Sequence, residues 1–196
     1  TLYRIVSHET SGLTKITSAE PLKSGGTFVT SAFGDTGTYS STNTIGTFLN
    51  GDYLTSYVGS SYSNMIEPST TWYLGSVGSG ASYRLAKYSS ATGNDLTTNT
   101  TTAQVGLLRF GELMAGQFDR YAIKGGSSST GFTTDYWTLT PYGTSLVRYV
   151  YRYGNAIYYS PSTTYGTRPA MNLKSSVMIT GGSGTKSDPF VLAVGS

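Results

Sequence analysis

The sequence predicts an α+β chain dominated by strands and loops, with two short helices. Three observations point there. Gly, Ser, Thr and Tyr are heavily used while charged residues make up 12% of the chain, a balance common in strand-rich extracellular domains. Short alternating apolar runs recur between Gly-containing turns. Helical spacing appears in only two places. The 196 residues fit one domain, 1–196, with room for a sizeable core. Apolar and aromatic residues occur throughout, which sets the chain apart from disordered sequences.

Taken in order, "LYRIVS" alternates and is followed by Ile16 beyond a Gly-containing turn, which predicts an opening hairpin. "SAEPLKSGGTF" reads as loop. "TIGTFLNGDYLTSYV" places Ile45, Phe48, Leu49 and Tyr53 at helical spacing, with Asn43 or Thr44 as N-cap. Gly46 and Gly51 weaken that helix. "SNMIEPSTTWYLG" predicts a turn and a short strand, and "SSATGNDLTTNTTTAQ" a Thr-rich loop. "AQVGLLRFGELMAGQF" predicts a strand entering a short helix that ends near Gly116. "KGGSSSTGF" reads as flexible loop. "DYWTLTP" and "DPFVLAV" predict core strands, and Trp72 and Trp137 are expected in the core. No repeat of solenoid period occurs.

Composition excludes several chemistries. There is no cysteine and one histidine, His8. Disulfides, thiol catalysis, zinc–thiolate sites and multi-histidine metal centres are therefore ruled out. Nothing resembles a nucleophile elbow. No cofactor and no metal requirement for folding are expected, because no oxygen-rich loop has calcium spacing. No apolar run approaches the roughly 20 residues that span a bilayer. The chain begins at Thr1 and reads as a piece of a longer protein, so any membrane attachment would come through an anchor elsewhere. Between Tyr136 and Lys186 there is no Asp or Glu, while Arg148, Arg152, Arg168, Lys174 and Lys186 give that segment five positive charges against +3 for the whole chain. Such a region favours anionic partners. The basic residues are too few and scattered for nucleic acid.

The ordered set "FLNGDYL", "WYLG", "VGLLRFGELMAG", "YWTLTP" and "RPAMNLK…GTKSDPF" resembles an uncharacterised C-terminal domain family of Gram-positive surface and secreted proteins. That family is similar to the C-type-lectin-like fold, in the branch of formylglycine-generating enzymes. The resemblance implies a C-type-lectin-like domain with a twisted antiparallel sheet, two short helices and long loops. It also implies an extracellular location, surface-attached or secreted. The enzymes of that branch need a cysteine pair or three histidines, and this composition supplies neither. Glu67-Pro68-Ser69 and Asn94-Asp95 echo a lectin calcium motif in the wrong order and read as turn chemistry. Glu112 with Asp119, or Glu67 with Asp95, would be carboxylate pairs for glycoside hydrolysis. Glu112 reads better as a loop-tying carboxylate. Arg168, within "TRPAMNL", is expected to make a buried ion pair or carbonyl contacts.

"VRYVYRYGNAIYY" holds five tyrosines and two arginines in residues 147–159. Gly154-Asn155 suits a two-residue hairpin turn. Pairing across it would set 153 against 156, 152 against 157 and 151 against 158. One face would carry Tyr149, Tyr151, Tyr153, Ala156 and Tyr158; the other would carry Arg148, Val150, Arg152, Ile157 and Tyr159. Bulk and polar tips mix on both faces. A cross-strand tyrosine ladder would explain that structurally. A binding surface would explain it functionally, because tyrosine offers large contact area at low entropy cost. The expected ligand-binding residues are Arg148, Tyr149, Tyr151, Arg152, Tyr153, Asn155, Tyr158 and Tyr159, with Tyr149, Tyr151 and Tyr153 mostly solvent-accessible. The expected function is a monomeric, non-catalytic extracellular binding module of the adhesin, pilus or fibre-tip type. Its expected partner is a host or cell-surface glycan or protein, anionic in character. A spacer domain without a ligand is the alternative, and a glycan-acting enzyme the third.

Overall fold

The computed structural model describes residues 1–74, 99–116 and 130–195. In chain order the first elements are β1 (Tyr3–His8), β2 (Thr14–Ser18), β3 (Lys23–Ser24), β4 (Thr27–Phe28) and β5 (Thr30–Ala32). Helix α1 (Thr44–Asn50), a π-helical turn (Tyr53–Val58) and α2 (Ser60–Ser63) follow. Then come β6 (Thr70–Tyr73), β7 (Thr100–Ala103), β8 (Val105–Leu107) and α3 (Phe110–Gly116). The rest is β9 (Tyr136–Tyr142), β10 (Leu146–Val150), β11 (Ala156–Tyr159), β12 (Thr164–Gly166), β13 (Pro169–Leu173), β14 (Val177–Gly181) and β15 (Val191–Val194). The fold is thus α+β, mostly strands with few short helices. Among the described residues no helix is long and apolar enough to cross a membrane.

The strands form two larger sheets in place of the single sheet expected. One is antiparallel throughout, in the order β1-β2-β13-β8. The other runs β11-β10-β9-β12-β5 and is antiparallel except where β12 meets β9, Gly166 opposite Tyr136. Three two-stranded ribbons, β3/β4, β6/β7 and β14/β15, complete the set. The two sheets are joined where Leu139 N–H donates to Leu108 O (2.9 Å) and Phe110 N–H donates to Thr140 Oγ1 (3.1 Å). Trp72 and Trp137 are core residues, each with its indole N–H donating to a carbonyl, of Ala103 and Ser31 respectively. Partnering that polar edge makes burial of so large a ring favourable.

Several local expectations hold. The opening hairpin sets Ile5 opposite Ile16. Asn43 caps α1, its Oδ1 accepting from Gly46 N–H at 2.9 Å. β9 is buried over its first six residues. Others need correction. Among the described residues three α-helices and a π-helical turn stand where two helices were expected. The Gly25-Gly26 stretch read as loop closes the β3/β4 hairpin. Part of the Thr-rich loop is strand β7, which pairs with β6; the remainder, residues 89–98, lies outside the described residues, as does most of "KGGSSSTGF". β15, expected in the core, is largely exposed and pairs only with β14. Gly46, which weakens α1 in isolation, is needed by packing: a Cβ there would meet the Ser40 carbonyl oxygen.

Arg168 makes the carbonyl contacts expected of it. It is buried, donating from Nε to Ser18 O (3.0 Å), from Nη2 to Ala19 O (2.8 Å) and from Nη1 to the Tyr136 hydroxyl (3.2 Å). The planar guanidinium fixes the loop after β2 against the start of β9.

Candidate binding surface

The tyrosine-rich stretch is the outer hairpin of the five-stranded sheet. β10 lies between β9 and β11, and β11 is the edge strand. The register pairs Val147 with Tyr159, Arg148 with Tyr158, Tyr149 with Ile157 and Val150 with Ala156. The two-residue turn is therefore incorrect. Pairing ends at Val150, and Tyr151 to Asn155 form a longer loop in which Tyr151 N–H donates to Asn155 O (2.8 Å) and Gly154 N–H to Tyr151 O (2.7 Å). Gly154 takes φ +88°, a conformation that glycine adopts without cost.

The cause lies outside the hairpin. Asp135 Oδ1 accepts the main-chain N–H of Arg152 (2.9 Å), and Arg152 O accepts from both N–H and Oγ1–H of Thr130 (2.9 and 3.1 Å). Both main-chain groups of Arg152 are thereby satisfied away from β11. The resulting register differs from the expected one by an odd number of residues. An odd difference turns one strand over relative to the other. Tyr149 consequently shares a face with Ile157 and Tyr159, and Arg148 shares one with Tyr158.

Burial divides the expected site residues. Tyr149 and Arg148 are each 6% exposed and belong to the interior. Tyr151 and Asn155 are half-buried, and Arg152, Tyr153, Tyr158 and Tyr159 are exposed. The expectation that Tyr149 and Tyr151 present most of their rings to solvent is corrected. β10 has a strand on each side, and its Tyr149 packs edge-on to Trp137 (6.1 Å between centroids) and against Tyr165 (4.3 Å). Burial pushes the Tyr149 hydroxyl well above its ordinary range, and the neighbouring Tyr165 hydroxyl adds to the shift.

Two aromatic groups reach solvent. On the Arg148 face, Tyr158 stacks on Tyr142 with centroids 3.8 Å apart and planes within 10°. The Arg148 guanidinium lies 4.8 Å from the Tyr142 ring and 5.9 Å from that of Tyr158, holding charge against the ring faces. At the loop, Tyr153 packs edge-on to Tyr151 (5.1 Å), and Arg152 lies over Tyr151 (5.6 Å) while its Nε is 3.4 Å from Asp135 Oδ1. The carboxylate-free segment thus acquires a carboxylate from just before it. Sequence reasoning missed Tyr142, Tyr165 and Asp135. The first two were visible as members of the seven tyrosines between residues 142 and 165; Asp135 gave no local signal.

Each expected carboxylate pair has one member outside the described residues. Asn94, Asp95 and Asp119 lie outside the described residues. Glu112 ties the start of α3, accepting from Lys15 Nζ (2.8 Å) and from Arg109 N–H (2.9 Å). No group of three or more His, Asp or Glu residues arranged for a metal occurs among the described residues. No protein-family model, no curated protein and no solved structure matches this chain.

Proposed function

We propose that this chain is a non-catalytic extracellular binding module that recognises a glycan or protein through the exposed part of the tyrosine hairpin. The carrying observation is the exposure of Tyr153 (48%), Tyr158 (42%) and Tyr159 (54%) around β11, an edge strand among the described residues, beside exposed Arg152. Large apolar rings with polar tips are seldom left in such density on a surface that touches nothing. The Tyr142–Tyr158 stack offers a flat, pre-ordered ring face of the kind that packs against sugar rings or protein side chains at low entropy cost. The proposed contact set is Arg152, Tyr153, Tyr158 and Tyr159, with Asn155 at the rim and Tyr142 behind Tyr158. Within this proposal the α+β architecture with few helices is compatible with a C-type-lectin-like domain of a Gram-positive surface or secreted protein. The partner is a cell-surface or host glycan or protein.

Burial of Tyr149 and Arg148 favours a second reading, in which the tyrosines serve the sheet and the chain is a spacer. An array of glycans and extracellular-matrix proteins, probed with the wild type and with a Tyr153→Ala, Tyr158→Ala, Tyr159→Ala variant, separates the two. Selective binding that disappears in a variant with unchanged unfolding behaviour supports recognition. Binding that the variant retains places recognition away from these tyrosines, and no binding by the wild type leaves the spacer.

A further inference from the structure

A second surface, on the other sheet, is built to receive a strand. β1 is an edge of the four-stranded sheet, and among the described residues nothing pairs with its outer side. An unpaired edge presents a row of N–H and C=O groups ready for another chain. A groove over one face of this sheet, lined by Ile5 of β1, Ile16 of β2 and Leu173 of β13, is walled opposite by Val177, Ile179, Phe190 and Leu192 of the β14/β15 ribbon and its connecting loop. Ile5 is 53% and Ile179 57% exposed, so the groove carries apolar side chains on both walls.

The charges along it are mostly positive. Arg4, Lys174 and Lys186 line the groove, and among the described residues no carboxylate lies within ion-pairing distance of any of them. The lining carboxylate Glu20 is already bonded to Lys23, at 2.8 Å. On β1 itself Arg4 and Ile5 are neighbours, so their side chains leave opposite faces of the strand. A strand added to this edge would set its own alternating residues against them: a carboxylate near Arg4, an apolar side chain near Ile5. Pairing of β1 with β1 of a second copy would leave Arg4 with no carboxylate opposite, because YRIVSH contains none, which disfavours self-association through this edge. The bulge between Ile5 and Ser7 interrupts the ladder and limits the added strand to a short segment.

We propose that β1 binds an extended segment of a partner protein, with alternating apolar and acidic side chains, as an additional strand whose side chains reach this adjoining groove. It is independent of the tyrosine edge.

The test is selection from a displayed library of random linear peptides on the whole chain, followed by fluorescence anisotropy with the enriched peptides. Expected are peptides alternating apolar and acidic residues, with affinity that falls as salt rises. Arg4→Glu with Lys174→Glu should weaken them about tenfold or more. Tyr158→Ala with Tyr159→Ala should leave their affinity unchanged, which separates this site from the tyrosine surface. Bound peptide should also slow hydrogen exchange in β1. The proposal is overturned by an absence of enrichment, by selected peptides that are basic or salt-insensitive, or by slowed exchange confined to β11. It is equally overturned if a fatty acid or a second copy of the chain occupies the groove and blocks the peptides from binding. Should the charge reversal unfold the chain, Arg4→Gln with Lys186→Gln and the salt titration of the wild type give the same readout.

Discussion

Two hairpins late in the chain, β10/β11 and β14/β15, have opposite fates. The first is rich in tyrosine and arginine, yet its inner strand is buried, Arg148 included. The second is made of Val, Met, Ile, Leu and Ala, yet Met178, Ile179, Val191 and Val194 are all more than 40% exposed. Composition alone would reverse the two. What differs is the neighbours. β10 lies between β9 and β11 with helix α3 against it, whereas among the described residues β14 and β15 pair only with each other. Apolar character makes burial favourable, but a second layer must be present to supply it.

The sharpest way to break this comparison is Tyr149→Ala. If β10 is interior, denaturant unfolding should show a loss of about 3–5 kcal/mol, the scale for a buried aromatic. A loss near zero would return Tyr149 to the surface. Next in size is an alkaline effect. Burial raises the hydroxyls of Tyr39 and Tyr53 above their ordinary value of 10.0, with the Tyr3 hydroxyl adding to the shift at Tyr53 and an Asn50 hydrogen bond opposing it at Tyr39. The folded chain keeps these protons while the unfolded chain loses them. Stability is therefore intact below pH ~10 and falls above it, by up to about 1.4 kcal/mol per pH unit for each residue. Denaturation midpoints across this range, with Tyr53→Phe as control, would show it; Tyr53→Phe should remove part of the slope.

Smaller effects sharpen the contrast at its exposed end. Arg152→Ala removes an exposed ion pair with Asp135 but leaves the main-chain anchor, and thermal unfolding should register less than about 1 kcal/mol. Smallest is Ile179→Ser with Val191→Ser in the isolated ribbon. Global stability should change by no more than about 0.5 kcal/mol, and amide exchange in β14 and β15 should be fast beside that of β9 and β10. Slow exchange in the ribbon would mean it is docked after all.

What could be read from the sequence follows from the same physics. β9 was legible because "YWTLTP" is apolar enough to lie under other layers, and Arg168 through the resemblance carried by "TRPAMNL". The α1 cap at Asn43 was legible as local chemistry. The register of β10/β11 was not, because Asp135 and Thr130, remote in sequence, decide where the strand ends. β7 was hidden because threonine serves loops and strands alike, and its strand state depends on β6 alongside. The proposed site was therefore half legible: the right hairpin, with Tyr149 and Arg148 turned inward by an odd-numbered slip.

The clamp on Arg152 has one more consequence. Asp135 and Thr130 grip that residue's N–H and C=O, not its side chain. Nearly any amino acid but proline could stand at 152 and be held in the same place, and Tyr153, half exposed beside Tyr151, also leaves room for exchange. The loop is thereby a fixed socket with exchangeable fittings. A chain randomised at 152, 153, 158 and 159 should retain its register while changing what it touches, so that variation at this edge can be explored without renegotiating the fold.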